Sequence, residues 1–260
     1  MSPATSPLRL KGTRLVRFLA DLAVSDVALS HENFTDRLGR VINIKESLRL
    51  LAFHDQLSMT PYEPSSSSCE GLSQEVLRAR RTMVQTVVTS FASEVGPARL
   101  QLPTLKADTA LDELAKFQPY HRFYIAHQRE FESKIHSLQR RVRVLVSGLS
   151  RELAQLAALD AAVWDILSMH THNQLAVIPQ LLGKRFDFLQ QDHRSPQTES
   201  GTQMGNVRPQ AALLEIRVRP EAWQARFLTE IQGLLLAELE LRLLPVLGLV
   251  EAVNEEVARR

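Results

Sequence analysis

Several histidine and aspartate side chains in this sequence are of the types that bind divalent metal ions. His54 and Asp55 are neighbours in "FHDQL", His31 lies upstream of them, and Asp108 or Asp160 lies downstream. Imidazole and carboxylate groups coordinate divalent metals, and the bound metal lowers the pKa of a water molecule until it becomes a nucleophile. One hypothesis from the sequence is therefore a metal-dependent hydrolase.

The spacing of these residues gives this hypothesis weak support. A histidine, an adjacent His-Asp pair and a later aspartate are the ligand pattern of HD-like metal-dependent phosphohydrolases, which are also all-helical. A His-Asp pair is short enough to arise by chance, and His31 lies at a predicted helix start, where exposed polar residues are common. The phosphohydrolase remains an alternative. The main prediction is a protein that is not an enzyme, with no catalytic residue, no metal and no cofactor.

The other residues with potential chemistry have simpler explanations. His170 and His172 lie in "MHTHNQ", between two predicted helices. Residues two positions apart share a face in a strand but diverge in a helix, so a solvated turn explains this pair. Cys69 is the only cysteine, which excludes an intramolecular disulfide and a thiolate zinc site. Its polar surroundings indicate an exposed loop thiol.

The stretch "FQPYHRFYIAHQREF", residues 117–131, combines two histidines with five aromatic rings. A proline suits the first turn of a helix, and the apolar positions that follow are spaced by three, four or seven residues. His121 falls off this stripe and His127 lies on its flank. The pattern predicts a long structural helix and not a binding cluster. Its stripe comprises Tyr124, Phe131, Ile135, Leu138, Val142, Leu145 and Leu149.

Composition divides the chain at two polar runs. Residues 59–72 and 192–210 are rich in Pro, Gly and Ser and are predicted to be flexible linkers. Residues 1–58 carry short helical patterns such as "TRLVRFLADL". Residues 73–260 form a long-helix bundle, either separate from the N-terminal segment or continuous with it.

Helical periodicity runs through the whole of this bundle. A helix is predicted at about residues 73–94, and Ser150 is predicted to cap a helix that follows the aromatic one. No alternating run is long enough for a sheet. The predicted fold class is an all-α multi-helix bundle with long amphipathic helices and two polar loops. In a further helix the apolar residues in phase are Leu175, Ile178, Leu182, Phe186 and Leu189.

The last helix, from about Pro220 to Val257, has apolar residues on more than one face. A helix of this kind must be covered on several sides, either by the rest of the chain or by a second subunit. We expect self-association through this helix. The predicted contact residues on it are Trp223, Phe227, Leu235, Leu239 and Leu243.

Arginine is concentrated in the middle of the chain, in "RARR" at residues 78–81 and in "QRRVRV" at residues 139–144. These clusters make a helical nucleic-acid-binding protein a second alternative. Because they do not align with an aromatic base-stacking platform, a solvated helix face explains them better, and no nucleic-acid partner is predicted. Arg140, Arg141 and Arg143 are predicted instead to contribute to a protein interaction surface.

Neither end of the sequence shows a membrane or export signal. The N-terminus has no continuous apolar core with a small-residue cleavage site. The most apolar run, residues 231–250, is interrupted by Glu238, Glu240, Arg242 and Pro245. We therefore expect a cytoplasmic protein without a membrane span.

Several segments, taken in order, resemble the bacterial domain-of-unknown-function family numbered 3348. The resemblance rests on "TRLVRFLADLAVSD" and "NFTDRLGRVI" near the start, on "FQPYHRFYIAHQREFESKIHSLQRRVR", "LAQLAALDAAVWDIL" and "VIPQLLGKRFDFL" in the middle, and on "WQARFLTEIQGLLLAELELRLLPVLGLVEAV" at the end. It covers most of the chain except the two polar loops. The family has no established catalytic residues to carry over, and its pattern does not require His54-Asp55.

The resemblance also implies a functional context. Members of the family are often encoded beside a MotA/TolQ-like proton-channel protein and an OmpA-like peptidoglycan-binding protein. The sequence therefore predicts a non-catalytic helical scaffold that acts through protein contacts, as an accessory of an envelope-associated complex.

Overall fold

Helices account for nearly all of the chain that the structure describes. The computed structural model describes residues 14–22, 47–48, 51–53, 57, 62, 71–92, 100–102, 117–194 and 209–259. Six α-helices and no strand occur in these ranges, which confirms the predicted all-α bundle. In chain order they are α1 (Arg14–Leu22), α2 (Leu72–Ser90), α3 (Gln118–Ser147), α4 (Arg151–Leu175), α5 (Ile178–Arg194) and α6 (Pro209–Arg259).

The helix boundaries follow from local chemistry. Gly71 precedes α2 with φ 86, a left-handed conformation that favours glycine. Ser150 caps α4 as predicted, because its Oγ accepts a hydrogen bond from the Leu153 amide at 3.2 Å. The last helix starts earlier than predicted. It begins at Pro209 and continues through Pro220, whose missing N–H removes a single helical hydrogen bond.

Helix α6 lies at the centre of the bundle, in contact with each of the five other helices described. Its contacts with α3 and α2 are the most extensive. The other helices of the chain therefore bury the several apolar faces of α6 that the sequence pattern indicated. The buried apolar residues of α6 are Phe227, Ile231, Leu234, Leu235, Ala237, Leu239, Leu243, Val246, Leu249, Val250 and Val253.

The predicted stripes of α3 and α5 face this core. In α3 the stripe is buried from Tyr124 to Val142, and Leu145 and Leu149 pack against it in a partly buried state. In the neighbouring segment all five predicted positions are buried, namely Leu175, Ile178, Leu182, Phe186 and Leu189. The aromatic stretch at the start of α3 is thus part of the core, with Tyr120, Phe123, Tyr124, His127 and Phe131 buried.

The two predicted linkers lie mostly outside the described residues. In 192–210, α5 extends to Arg194 and α6 begins at Pro209, so both ends of the predicted linker are helical. In 59–72, only residues 62, 71 and 72 are described. Helix α1 packs against α6 and α5, which joins this part of the N-terminal segment to the long-helix bundle.

Candidate functional site

Helix α4 leaves most of its apolar stripe only partly buried. Of its 25 residues only Leu153, Ala157 and Leu175 are buried, and all three lie near its ends. The middle of the helix carries seven large apolar side chains, none of which reaches full burial. They are Leu156, Leu159, Val163, Trp164, Ile166, Leu167 and Met169, the last of which is 71% exposed.

This partly buried face of α4 borders a cleft between α4 and α6, and residues of α3 lie at the base of the cleft. The cavity measures about 350 Å³, within the size range of ligand pockets. Ile135 and Gln139 of α3 are 2% and 1% exposed, which places them deepest. The other lining residues are Glu132, Asp160, Val163, Trp164, Leu167, Ser168, Thr171, Leu241, Arg242, Leu244 and Pro245.

A buried carboxylate lies one helical turn before the residues of α6 that line the cleft. Glu238 of α6 is 0% exposed and accepts hydrogen bonds from the Tyr124 hydroxyl at 2.9 Å, from Gln128 Nε2 at 3.0 Å and from Arg242 Nε at 2.9 Å. Gln128 also donates to the Leu175 carbonyl at 3.1 Å, which ties in the end of α4. Burial, with the neighbouring carboxylate, raises the pKa of Tyr124 well above 10, so its hydroxyl stays a donor.

A second group of polar contacts lies at the other end of the cleft. Arg143 donates from Nε to Asp160 Oδ2 at 2.6 Å and from Nη2 to the Asp160 carbonyl at 3.1 Å. Gln139 Nε2 donates to the same Asp160 oxygen at 2.9 Å. The Gln139 Oε1 is buried and has no hydrogen-bond partner among the described residues, which is rare for a buried acceptor.

A proline interrupts the backbone hydrogen bonds of α6 beside this cleft. Pro245 lies inside α6 and carries no N–H, so the Leu241 carbonyl lacks the amide donor that a helix normally supplies. Both residues line the cleft.

This arrangement is suited to binding. Its buried charges are already engaged, since Arg242 pairs with Glu238 and Arg143 pairs with Asp160. Among the described residues there is also no group of three or more His, Cys, Asp or Glu side chains that could hold a metal ion. What the cleft offers is mostly apolar surface.

The predicted contact residues of the last helix do not lie on the surface. Phe227, Leu235, Leu239 and Leu243 are at most 1% exposed, because the surrounding helices of the same chain cover them. Trp223 is partly buried and packs edge-on against the Phe186 ring at 5.3 Å. The four buried residues form core contacts in the folded chain, and Trp223 keeps a partly exposed side chain.

The predicted arginines have separate roles. Arg143 holds α4 through Asp160, and Arg141 reaches α2, where its Nε donates to Glu75 at 3.1 Å. Arg140 is exposed and makes no ion pair with the described residues. In the 78–81 cluster, Arg80 lies 3.7 Å from Glu240 of α6. The structure therefore does not gather these side chains into one cationic surface.

The histidines are dispersed as well. His127 is fully buried, with Nε2 3.1 Å from Ser90 Oγ. His170 and His172 lie within α4, not in a turn as predicted, and His172 Nδ1 is 3.5 Å from Glu132. Asp160, a candidate metal ligand, is instead bound to Arg143. The other metal-ligand candidates and the cysteine lie outside the described residues: His31, His54, Asp55, Cys69 and Asp108.

Sequence reasoning missed Glu238 and Gln139, the two polar residues that shape this cleft. Glu238 had a readable signal, because it lies four residues before Arg242 within an otherwise apolar run, and such pairs face each other on a helix. Gln139 had none, since a glutamine beside two arginines is typical of an exposed helix face. Its burial depends on how α4 crosses α3.

The structure is that of a helical bundle protein with a mostly apolar cleft, beside which lie buried polar contacts. None of the described helices is apolar enough over a sufficient length to cross a membrane. The chain belongs to the family described as proteins of unknown function, DUF3348, whose profile matches residues 1–255. No curated protein and no solved structure matches the chain significantly.

Proposed function

We propose that the protein acts by binding a partner protein, whose amphipathic helix lies in the cleft between α4 and α6. The observation that carries this proposal is the partly buried apolar stripe of α4. This row of apolar side chains is partly buried, with Leu156 36% exposed, and apolar surface that borders a cleft is characteristic of a binding site. Leu244 of α6, at 52% exposed, and Met169 of α4 extend this row on the two helices that flank the cleft.

The shape and charge of the cleft favour a helix as the occupant. Its lining residues on α4 run from Asp160 to Thr171, which is about three helical turns. A partner helix presents apolar residues at intervals of three and four positions, and an elongated groove between two helices accepts such a stripe. Because the charges at the ends of the cleft are already paired, the buried part of the partner is expected to be uncharged.

The wider context follows from the family resemblance. We place the protein in the cytoplasm as a non-catalytic accessory of an envelope-associated complex that contains a MotA/TolQ-like channel and an OmpA-like protein. The proposal requires only that one member of such a complex offers an amphipathic helix. A second copy of this chain is the competing occupant.

Two matched variants test this proposal. Leu244 on the cleft and Leu77 on α2 are similarly exposed, at 52% and 54%. Leu77 lies on a helix that does not line the cleft. Wild type, Leu244→Glu and Leu77→Glu are each used to capture partners from the native host, and captured proteins are then purified and titrated against each variant. We expect one helical partner whose affinity falls at least about tenfold with Leu244→Glu and stays unchanged with Leu77→Glu.

The same experiment has clear contrary results. A partner lost equally with both variants, or only with Leu77→Glu, would refute the cleft as the binding surface. If Leu244→Glu instead reduces a mass above 29.3 kDa to that of the single chain in light scattering, the occupant is a second copy and the heterologous partner is refuted. Circular dichroism and thermal unfolding of each variant confirm that the fold is retained.

A further inference from the structure

One charged residue of the cleft lacks a permanently charged partner among the described residues. Three charged residues line the cavity, namely Glu132, Asp160 and Arg242. Asp160 pairs with Arg143 and Arg242 pairs with Glu238, and both pairs are largely buried. The side chain of Glu132 is 45% exposed, which places its carboxylate at the rim of the cavity. Glu132 is therefore the charge that an occupant of the cleft meets.

The partner that the described residues offer to Glu132 is an imidazole. His172 Nδ1 of α4 lies 3.5 Å from Glu132 Oε2, and a histidine carries a positive charge only when it is protonated. Both side chains are about half exposed, so water and salt weaken this contact. Lys134, two residues further along α3, pairs with Glu130 instead. Glu132 is therefore able to pair with a lysine or arginine from outside the chain without breaking a strong ion pair.

The surroundings of Glu132 favour a cation for a second reason. His172 lies in the last turn of α4, where the backbone carbonyl groups carry a partial negative charge of about half a unit. Ser168 and Thr171 line the same cavity, and their hydroxyl oxygens can accept hydrogen bonds from an ammonium or a guanidinium group. This part of the cleft therefore combines a carboxylate, a helix C-terminus and hydroxyl oxygens.

We infer that the partner helix in the cleft carries a lysine or arginine beside its apolar stripe, and that this side chain pairs with Glu132. This inference rests on the proposed function. The buried part of the partner stays uncharged, while the cation lies at the rim, where its head group keeps part of its hydration. A rim pair contributes mainly to the association rate and to the choice of partner. The partner is thus a basic amphipathic helix and not an acidic one.

Two synthetic peptides test this pairing with the full chain. Both are helices of about five turns with the same stripe of leucines, and the positions beside the stripe are lysine in one peptide and glutamate in the other. Fluorescence anisotropy of the labelled peptides gives the two affinities. The chain has a net charge of +2, so its long-range field favours the glutamate peptide. We expect the lysine peptide to bind about fivefold more tightly at low salt, and the difference to shrink in high salt.

Three variants locate the effect. Glu132→Lys should reverse the preference for the lysine peptide. Glu251→Lys makes the same charge change at an exposed position of α6 that does not line the cleft, and it should preserve the preference. Leu244→Gln changes no charge and should weaken the binding of both peptides, because Leu244 lines the cleft. Circular dichroism of each variant checks that the fold is retained.

The outcomes separate this inference from the proposed function. If Leu244→Gln weakens both peptides but the wild type does not prefer lysine, or if Glu132→Lys keeps that preference, the cleft stands as the binding surface and the ion pair is overturned. Affinities that Leu244→Gln leaves unchanged would place the peptides outside the cleft and overturn the inference. Binding of neither peptide overturns it as well, and capture of a partner through Leu244 then decides the proposed function alone.

Discussion

The buried imidazole of His127 makes a quantitative prediction about stability and pH. Burial lowers the pKa of His127 from 6.5 to about 4. The Ser90 hydroxyl donates to the Val87 carbonyl at 2.7 Å, so His127 Nε2 carries the hydrogen that reaches Ser90 Oγ. Nδ1 has no hydrogen-bond partner in the part of the chain that the structure describes, and protonating it would place a buried donor there without an acceptor. The neutral imidazole is therefore the form that fits the folded chain.

The direction in which pH changes the free energy of unfolding follows from the folded and unfolded pKa values of His127. Because the folded value lies below the unfolded value, the unfolded chain binds more protons at acidic pH. The contribution of His127 to stability is fully present above its unfolded pKa and is lost as the pH falls toward the folded value. Between pH 7 and pH 5 the loss is about 2 kcal/mol, and it approaches about 3 kcal/mol below pH 4.

Urea unfolding at pH 7 and pH 5 measures this loss in wild type and in His127→Gln. Glutamine retains an amide donor for Ser90 but does not titrate. Carboxylates contribute equally to both proteins, so the difference between the two pH dependences isolates the imidazole. We expect wild type to lose about 2 kcal/mol more than the variant over this range. Equal losses in the two proteins would show that His127 is not buried in its neutral form, and the reasoning would be refuted.

Three further predictions concern α6. In Gly248→Ala the added Cβ meets no atom within 4 Å, and the variant should be more stable by up to about 1 kcal/mol. In Gly233→Ala the Cβ lies 2.8 Å from the Phe18 ring of α1, and the variant should be less stable than wild type. Thermal unfolding of the two variants measures both effects. Glu238→Met should cost about 3–5 kcal/mol by leaving a buried guanidinium unpaired, and adding Arg242→Met should recover most of this loss in denaturant titrations. Leu239→Asp should give unfolded protein by circular dichroism, because burying a carboxylate costs several kcal/mol; a folded variant of lower mass would instead place Leu239 at a subunit interface.

Periodicity alone was sufficient to predict the helices and much of the core. The α5 stripe from Ile178 to Leu189 and the α3 stripe from Tyr124 to Val142 are buried as their spacing indicated, since spacing within one helix determines which side chains share a face. The cap at Ser150 was also predictable, because capping depends on residues only three positions apart.

The cleft was not predictable, because it depends on how helices far apart in the chain are packed. The stripe of α4 around Val163 and Leu167 has the same periodicity as that of α5, yet α5 is buried and the middle of α4 is not. The last helix shows the same limit of sequence patterns. Leu239 could have been covered by a second copy or by the chain itself, and its sequence pattern is the same in both cases.

The position of α6 after all the other described helices has a consequence for synthesis. The Arg14 hydrogen bond to Glu240 joins residues 226 positions apart, and α2, α3 and α5 also bury their apolar stripes against this last helix. During translation these stripes emerge long before the helix that covers them, which exposes them to aggregation and chaperone binding. The core therefore assembles only once the residues of α6 have been synthesised. A chain terminated before Pro209 lacks α6, the helix against which α1 and α2 pack. Its apolar stripes stay exposed, and we expect it to be degraded instead of forming a smaller folded protein.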